Sequence, residues 1–237
     1  MSMNIKIGHQ TLGEQTLIAG VLTDAGVEMP DHESIECIDI LELRVDMFSS
    51  FKPDHVANIF RLAKEKFGKP IIGTIRHTSE GAKTRVPDRV QLYKIIAPLS
   101  DALDVEIQQE TDIAQIKKLC IANKTLLIGS YHNFSSTPQE IFLDSMELKG
   151  RRLGADIVKV ATTAFSRDDL IGIASFTMKH RHKGIISIAM GELGISSRIF
   201  SPIFGSLITY AYIDEASAPG QFSACELFKI FKKLHIS

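Results

Sequence analysis

The sequence predicts an α/β fold of the (β/α)8 type, a TIM barrel, in which residues 1–237 form a single domain. Three observations predict it. Apolar runs of strand length recur along the chain, stretches with helical periodicity separate them, and polar residues interrupt them mainly near their carboxyl ends. Eight such runs favour a closed barrel over an open doubly wound sheet, which usually has fewer strands.

The strands are expected where β-branched and other apolar residues run together. A short hairpin is predicted first, over residues 3–14, where it would cap the floor of the barrel. The predicted ranges of the barrel strands are 16–22, 37–44, 71–76, 102–107, 125–132, 156–162, 184–190 and 207–213.

The segments between these strands show the spacing of amphipathic helices. Apolar stripes are predicted at Ile113, Ile116 and Cys120, at Leu170, Ala174 and Met178, and at Leu227, Phe231 and Leu234. Helix starts are indicated by possible N-caps and by prolines suited to a first turn, namely Thr137, Ser223, Pro53, Pro87 and Pro138.

Composition argues against a polyanionic or membrane partner. The 237 residues are 44% hydrophobic and 23% charged, as in ordinary globular proteins. Lys and Arg number 27 and Asp and Glu 28, so no net field attracts nucleic acid or an anionic membrane. Neither a signal-peptide pattern nor an apolar run long enough to span a bilayer is present in the sequence. We therefore expect a cytoplasmic protein.

Cysteine and histidine spacing gives no indication of a metal site. Cys37, Cys120 and Cys225 are far apart among apolar neighbours, which favours reduced core cysteines. Apart from His132, the histidines lack ligand spacing such as HxxxH. They are expected at the surface, at His9, His32, His55, His77, His180, His182 and His235.

Charged residues within the strands are the strongest functional signal. In the segment ELRVD, the two-residue period of a strand places Glu42, Arg44 and Asp46 on one face. Similar interruptions occur at Arg76, Asp104, Glu106, His132 and Lys159. All but Asp104 lie in or near the carboxyl-terminal half of their strand, the end at which barrel active sites assemble.

Lys159 and His132 are the candidates for chemistry. Lys159 lies between Val158 and Val160 in a strand too apolar for a sheet edge. Desolvation makes a lysine lose its proton more readily, as attack on a carbonyl group requires. A snorkelling structural lysine remains the alternative. His132 closes its strand, where it could serve as an acid or base or fill a structural role.

Seven segments together resemble a known family. They are ELRVD (42–46), GTIRHTSEGA (73–82), SYHNF (130–134), ADIVKVA (155–161), GISSRIF (194–200), FGS (204–206) and ASAPGQ (216–221). In their order and spacing they resemble the motifs of the type I 3-dehydroquinate dehydratases. One departure is Tyr210, which stands where family members commonly have Phe.

The resemblance implies a catalytic group of three residues. Lys159 would form an imine with the substrate ketone, and His132 would act first as base and then as acid. Glu80 matches the carboxylate that orients the histidine. The lysine would replace a cofactor, so neither a cofactor nor a metal is expected.

The resemblance also implies how the substrate is bound. Arg198 would bind its carboxylate, and a covering loop would contribute Ser217 and Gln221. The polar cluster that grips the ring hydroxyls would be Glu42, Arg44, Asp46 and Arg76. The expected reaction converts 3-dehydroquinate to 3-dehydroshikimate and water, in the shikimate pathway of aromatic amino-acid biosynthesis, by a homodimer.

Two other hypotheses about the function remain open at this point. A class I aldolase would use the same barrel and a lysine imine, but it usually binds a sugar phosphate through glycine-rich turns after strands seven and eight. Here GELGISSR and ASAPGQ follow those strands, and the first contains an arginine suited to a carboxylate. A barrel that binds a ligand without catalysis would leave the lysine and histidine without a role.

Overall fold

The computed structural model describes residues 5–29, 32–214 and 221–236. Within these ranges, a hairpin pairs β1 (Lys6–Ile7) with β2 (Gln10–Thr11) in antiparallel fashion. Eight further strands form a single sheet. They are β3 (Leu17–Leu22), β4 (Ile40–Arg44), β5 (Ile71–Thr74), β6 (Ala102–Glu106), β7 (Leu126–Asn133), β8 (Ile157–Thr163), β9 (Ile185–Met190) and β10 (Ile208–Tyr212).

The sheet order shows a barrel. Each strand from β3 to β8 pairs in parallel with the next along the chain, and β10 pairs in parallel with β3. At the remaining seam, Leu207 N donates to Ile185 O at 2.9 Å, so the barrel is nearly closed. The predicted parallel barrel and N-terminal hairpin are confirmed.

Helices cover the outside of the barrel. They are α1 (Asp24–Glu28), α2 (His32–Glu36), α3 (Pro53–Phe67), α4 (Arg89–Ile96), α5 (Glu110–Asn123), α6 (Glu140–Arg152), α7 (Arg167–His180), α8 (Ser197–Ile203) and α9 (Ala224–Leu234). No helix in the described ranges has the length and apolar character needed to cross a bilayer.

The alternation of side chains along each strand divides the core in two. In β4, Leu41 and Leu43 pack outward against helices, whereas Ile40 faces the barrel interior with Ile72 of β5 and Ile186 of β9. By the same alternation Glu42 faces inward. Polar side chains on the inner face therefore meet inside the barrel.

Several helix predictions were wrong. In α7 the buried side chains are Ile173, Phe176, Thr177 and His180 rather than the predicted stripe, and Met178 is 43% exposed. His180 is therefore not a surface residue, and its Nε2 lies 2.6 Å from Asp144 Oδ1.

The predicted helix starts gave mixed results. Ser223 caps α9, where its side chain accepts from Glu226 N, and Pro53 opens α3. Thr137 does not cap α6, because its hydroxyl donates to Thr163 O at 3.0 Å instead. Pro87 and Pro138 precede the N-caps of α4 and α6 rather than lying in a first turn.

Candidate active site

A cavity opens at the carboxyl ends of the barrel strands. It brings together most of the residues singled out in the sequence. Those lining it are Glu42, Arg44, Arg76, Glu80, His132, Lys159, Arg198 and Gln221, together with Gly81, Phe134, Ala161, Ile188, Met190 and Tyr210. Asp46 is not among the lining residues, and Ser217 lies outside the described residues.

Lys159 is the lysine among the lining residues of this cavity. It is 4% exposed, and its strand runs between β7 and β9. Its Nζ donates to Asp104 Oδ2 at 3.0 Å and lies 3.7 Å from Glu42 Oε1. The Tyr210 ring lies on another side of the amine, with its centroid 4.0 Å from Nζ. The lysine is therefore held by two carboxylates and one aromatic face.

Asp104 connects Lys159 to Arg76. Its Oδ1 accepts from Ser130 Oγ at 2.6 Å and lies 3.0 Å from Arg76 Nη1. Burial by itself would raise the pKa of Asp104, but Arg76 and Lys159 hold it well below its usual range. Asp104 is thus a permanent negative charge beside the lysine amine.

His132 and Glu80, which both line the cavity, form a second pair. His132 Nδ1 lies 3.0 Å from Glu80 Oε2, which also accepts from the His132 backbone N at 2.8 Å. Burial, followed by the charges of Arg76 and Lys159, lowers the pKa of His132 well below 6.5. The imidazole is therefore neutral at neutral pH and able to accept a proton.

Burial also acts on Glu80, which is 2% exposed. It raises the pKa of this carboxyl to about 8, against the opposing effect of Arg76. Oε1 of Glu80 has no hydrogen-bond partner among the described residues. The His132–Glu80 pair consequently carries little net charge at pH 7.

Glu80 is placed by a short turn that ends at Gly81. The turn Thr78–Glu80 is a 3-10 helix, and Gly81 follows it with φ +101°. A Cβ at Gly81 would lie 2.5 Å from the Phe134 ring. Glycine thus allows the turn to bring Glu80 against the end of β7.

Asp46 fixes the orientation of the Arg44 side chain. Arg44 Nε and Nη2 donate to the two Asp46 oxygens at 3.0 and 2.8 Å. Asp46 Oδ1 also accepts from Arg76 N at 3.0 Å. The strand ends at Arg44 and Val45–Met47 forms a 3-10 turn, so the strand periodicity expected to include Asp46 does not extend that far. Asp46 orients Arg44 rather than facing the cavity.

Arg198 differs from the other buried arginines. Carboxylates outweigh burial at Arg44 and Arg76 and raise their pKa values. Burial instead lowers the pKa of Arg198 to about 10, with Tyr210 acting in the opposite direction. Arg198 lies in α8, just after β9, and is 2% exposed. A negatively charged ligand would stabilise its cation in this position.

Two residues that contact Lys159, namely Asp104 and Tyr210, were not selected from the sequence as site residues. Asp104 was noticed as a charge but lies mid-strand, so the preference for strand ends excluded it. Its two-residue spacing from Glu106 was the available signal, since both share the inner face of β6. In the sequence, Tyr210 stands out only because family members commonly have Phe at this position. Nothing in the sequence indicates its contact with Lys159.

Across the described parts of the chain, no group of three or more His, Cys, Asp or Glu side chains is arranged to hold a metal ion. The carboxylates that approach Lys159 are engaged with arginine, serine or threonine donors, as Thr74 Oγ1 is with Glu42 Oε1 at 2.8 Å.

Comparison with known proteins identifies the family. A family model described as type I 3-dehydroquinase matches residues 19–237. A 3-dehydroquinate dehydratase from Thermodesulfovibrio yellowstonii is 40% identical over 215 residues, covering 91% of this chain and 94% of the relative. One from Hydrogenobaculum sp. is 37% identical and covers 84% and 89%.

Solved structures agree with this result. The type I 3-dehydroquinate dehydratase of Clostridium difficile superposes with a TM-score of 0.90 at 26% identity, covering 99% of both chains. The enzyme from Aquifex aeolicus gives 0.82 at 32% identity, covering 93% of this chain and 99% of that one. The chain therefore belongs to the type I 3-dehydroquinase family.

Proposed function

We propose that this protein removes water from 3-dehydroquinate to give 3-dehydroshikimate, through an imine between Lys159 and the ring ketone. The observation that carries the proposal is the buried Lys159 amine in a cavity that His132 and Arg198 also line. These three groups supply a nucleophile, a base and an anion-binding cation.

The imine makes the elimination feasible. The Lys159 amine adds to the ketone carbon, and loss of the carbonyl oxygen as water leaves a protonated imine. This cation withdraws electrons from the neighbouring carbon, so a C–H proton can leave to give an enamine. The enamine then expels the β-hydroxyl, which departs as water after protonation. Hydrolysis of the remaining iminium releases the product and restores the amine.

Asp104 and Glu42 fit this sequence of charges. The iminium nitrogen would occupy the position of Lys159 Nζ, 3.0 Å from Asp104 Oδ2 and 3.7 Å from Glu42 Oε1. Fixed carboxylates already in place at a developing positive charge lower the barrier without a reorganisation cost. We therefore assign Asp104 to stabilise the iminium and to position the lysine.

His132 would perform both proton transfers. Its depressed pKa keeps the imidazole neutral, so it can take the proton from the carbon next to the imine. The resulting imidazolium then protonates the leaving hydroxyl. Glu80 holds the ring through Nδ1 and so directs the other nitrogen toward the substrate.

The remaining residues would hold the substrate. Arg198 would bind the carboxylate with its two-pronged donor. Arg44, Arg76 and Glu42 line the cavity where the ring hydroxyls would lie, and Gln221 lines its mouth. Asp46 would contribute indirectly through Arg44. A role for Ser217, a place in the shikimate pathway and a homodimeric state complete the proposal as the family resemblance implies them.

The experiment is a direct assay of dehydration. The protein is incubated with 3-dehydroquinate while the conjugated enone absorbance of 3-dehydroshikimate is followed. We expect a saturable rise in wild type and almost none in Lys159→Ala. A wild-type protein that binds the compound without this rise would support a non-catalytic barrel. Cleavage of a sugar phosphate instead would support an aldolase.

A further inference from the structure

Tyr210 carries a hydroxyl that no described part of the protein uses. The residue lies on β10, is 2% exposed and lines the cavity. Its hydroxyl is buried and has no hydrogen-bond partner among the described residues. A buried polar group without a partner is destabilising, so native proteins rarely retain one without a use.

Other buried tyrosines of the chain show the usual arrangement. The Tyr93 hydroxyl donates to Asp104 O at 2.6 Å, and the Tyr131 hydroxyl accepts from Asn133 Nδ2 at 3.1 Å. Tyr93 is fully buried and Tyr131 is 5% exposed. The hydroxyl of Tyr210 thus differs from theirs in its pairing and not in its burial.

The surroundings of Tyr210 connect the two ends of the proposed substrate site. Its ring lies against the Lys159 amine, at 4.0 Å from the centroid. Its neighbour Thr209 donates from Oγ1 to the backbone O of Arg198 at 3.1 Å, which anchors α8 to β10. Tyr210 and Arg198 also affect each other's pKa. Lys159, Tyr210 and Arg198 all line the same cavity, so a ligand that contacts both Lys159 and Arg198 would share that cavity with this ring.

The charge state of Tyr210 limits what it can do. Burial, together with Glu42 and Asp104, raises its pKa well above 10. The phenol is therefore protonated wherever the protein is folded near neutral pH, which makes it a hydrogen-bond donor and excludes it as a base.

We propose that the Tyr210 hydroxyl donates a hydrogen bond to the substrate carboxylate beside Arg198, which makes Tyr210 a specificity-determining residue. A carboxylate has lone pairs for several donors, and a cation next to a neutral donor suits an anionic acceptor better than a neutral ring hydroxyl. The inference rests on the proposed function for the identity of the substrate.

The test begins with Tyr210→Phe, which removes only the hydroxyl. A hydrogen bond to a charged group is strong enough that its loss should raise KM about tenfold or more, with kcat within about threefold. Without ligand, the variant should melt at the same or a higher temperature than wild type, because an unpaired buried hydroxyl has been removed. If the Tyr210 hydroxyl instead had a structural role, Tyr210→Phe should lower the melting temperature and leave KM unchanged.

Two matched variants calibrate these readouts. Tyr93→Phe removes a hydroxyl that is paired with Asp104 O, so its melting temperature should fall. Tyr131→Phe makes the same change on the outer side of the barrel, in the cluster with Leu143 and Val160, and should leave KM unchanged. Wild-type dehydration is measured beside all of them, and its absence would refute the proposed function rather than the assignment of Tyr210.

A double-mutant cycle with Arg198 identifies the contacted group. If both residues bind the same carboxylate, Tyr210→Phe should reduce kcat/KM by a clearly smaller factor in an Arg198→Ala background than in wild type. Equal factors in the two backgrounds would show that the hydroxyl contacts another part of the substrate and would overturn the carboxylate assignment. A KM within twofold of wild type in Tyr210→Phe would overturn the inference altogether.

Discussion

At the residue scale, Asp104 has the most connections within the site. It accepts hydrogen bonds from Lys159 and Ser130 and pairs with Arg76, and all four side chains are buried. Because its neighbours are cations, neutralising it would leave buried positive charge without compensation. Such a loss is costly both for stability and for an iminium formed at the same place.

We therefore expect Asp104→Asn to lower kcat by about 100-fold or more and to lower the free energy of unfolding by about 3–5 kcal/mol. Steady-state kinetics and denaturant unfolding measure the two effects. Glu110→Gln is the control. Glu110 pairs with Lys149 at 2.6 Å, but the Glu110 side chain is 62% exposed, so this pair should contribute less than about 1 kcal/mol to stability. Equal, small effects of the two substitutions would remove Asp104 from the mechanism.

The raised pKa of Glu80 predicts how the stability of the protein depends on pH. Its pKa is raised from 4.5 to about 8 in the folded protein, mainly by burial. The folded state therefore binds this proton more tightly than the unfolded state does. The resulting stabilisation is complete below about pH 4.5 and is lost as pH rises to about 8.

Glu80→Gln removes this titration while keeping a side chain of similar shape. We expect wild type to lose stability relative to Glu80→Gln between pH 5 and pH 8.5, by an amount on the order of a few kcal/mol. Unfolding curves of both proteins at several pH values provide the comparison, in which other titrating groups cancel. Parallel pH profiles would show that the pKa of Glu80 is not raised.

At the scale of elements, the predicted apolar stripes gave mixed results. In α9, Leu227 and Phe231 are buried as predicted, but Leu234 is 50% exposed. The predicted stripe of α5 is confirmed, since Ile113, Ile116 and Cys120 are its buried residues. The stripe of α7 was wrong because the buried face carries the apolar Ile173 and Phe176 together with Thr177 and His180. The last two are buried with polar partners. Thr177 Oγ1 lies 2.5 Å from Ser187 Oγ, on a different element, and sequence periodicity cannot supply such a partner.

The same limit applied inside the site. Lys159 and His132 were found because charge and imidazole are unusual in barrel strands. Asp104 lies in the middle of its strand, away from the end where barrel sites assemble. Its partner Lys159 is 55 residues away in sequence, so the sequence does not show that the two side chains meet. The position of Asp46 behind Arg44 depends on a 3-10 turn that the two-residue period does not predict.

The cap of α9 gives a prediction at this scale. The Ser223 side chain accepts from Glu226 N, and Glu226 returns a bond to the Ser223 backbone N at 3.0 Å. Ser223→Ala should therefore destabilise the protein by about 1 kcal/mol. Ser196→Ala serves as a control, because Ser196 precedes α8 without a side-chain capping bond. Equal unfolding curves for wild type and Ser223→Ala would contradict a stabilising cap.

For the whole molecule, the barrel explains why distant residues form one site. Parallel strands present their carboxyl ends at one edge, so Glu80 meets His132 across 52 residues and Lys159 meets Asp104. The eight-strand alternation was sufficient to predict this architecture, because each strand from β3 to β8 lies beside the next along the chain and β10 lies beside β3. The assembled cavity places one lysine, Lys159, among its lining residues.

Covalent capture of the substrate on Lys159 tests the central claim most directly. Wild-type protein is treated with 3-dehydroquinate and borohydride together, digested, and analysed by mass spectrometry, with Lys159→Ala and substrate-free samples in parallel. Reduction of the imine should fix a stable adduct on the peptide containing Lys159, and both controls should lack it. An adduct on a different lysine, or an active enzyme that yields no adduct, would contradict the account.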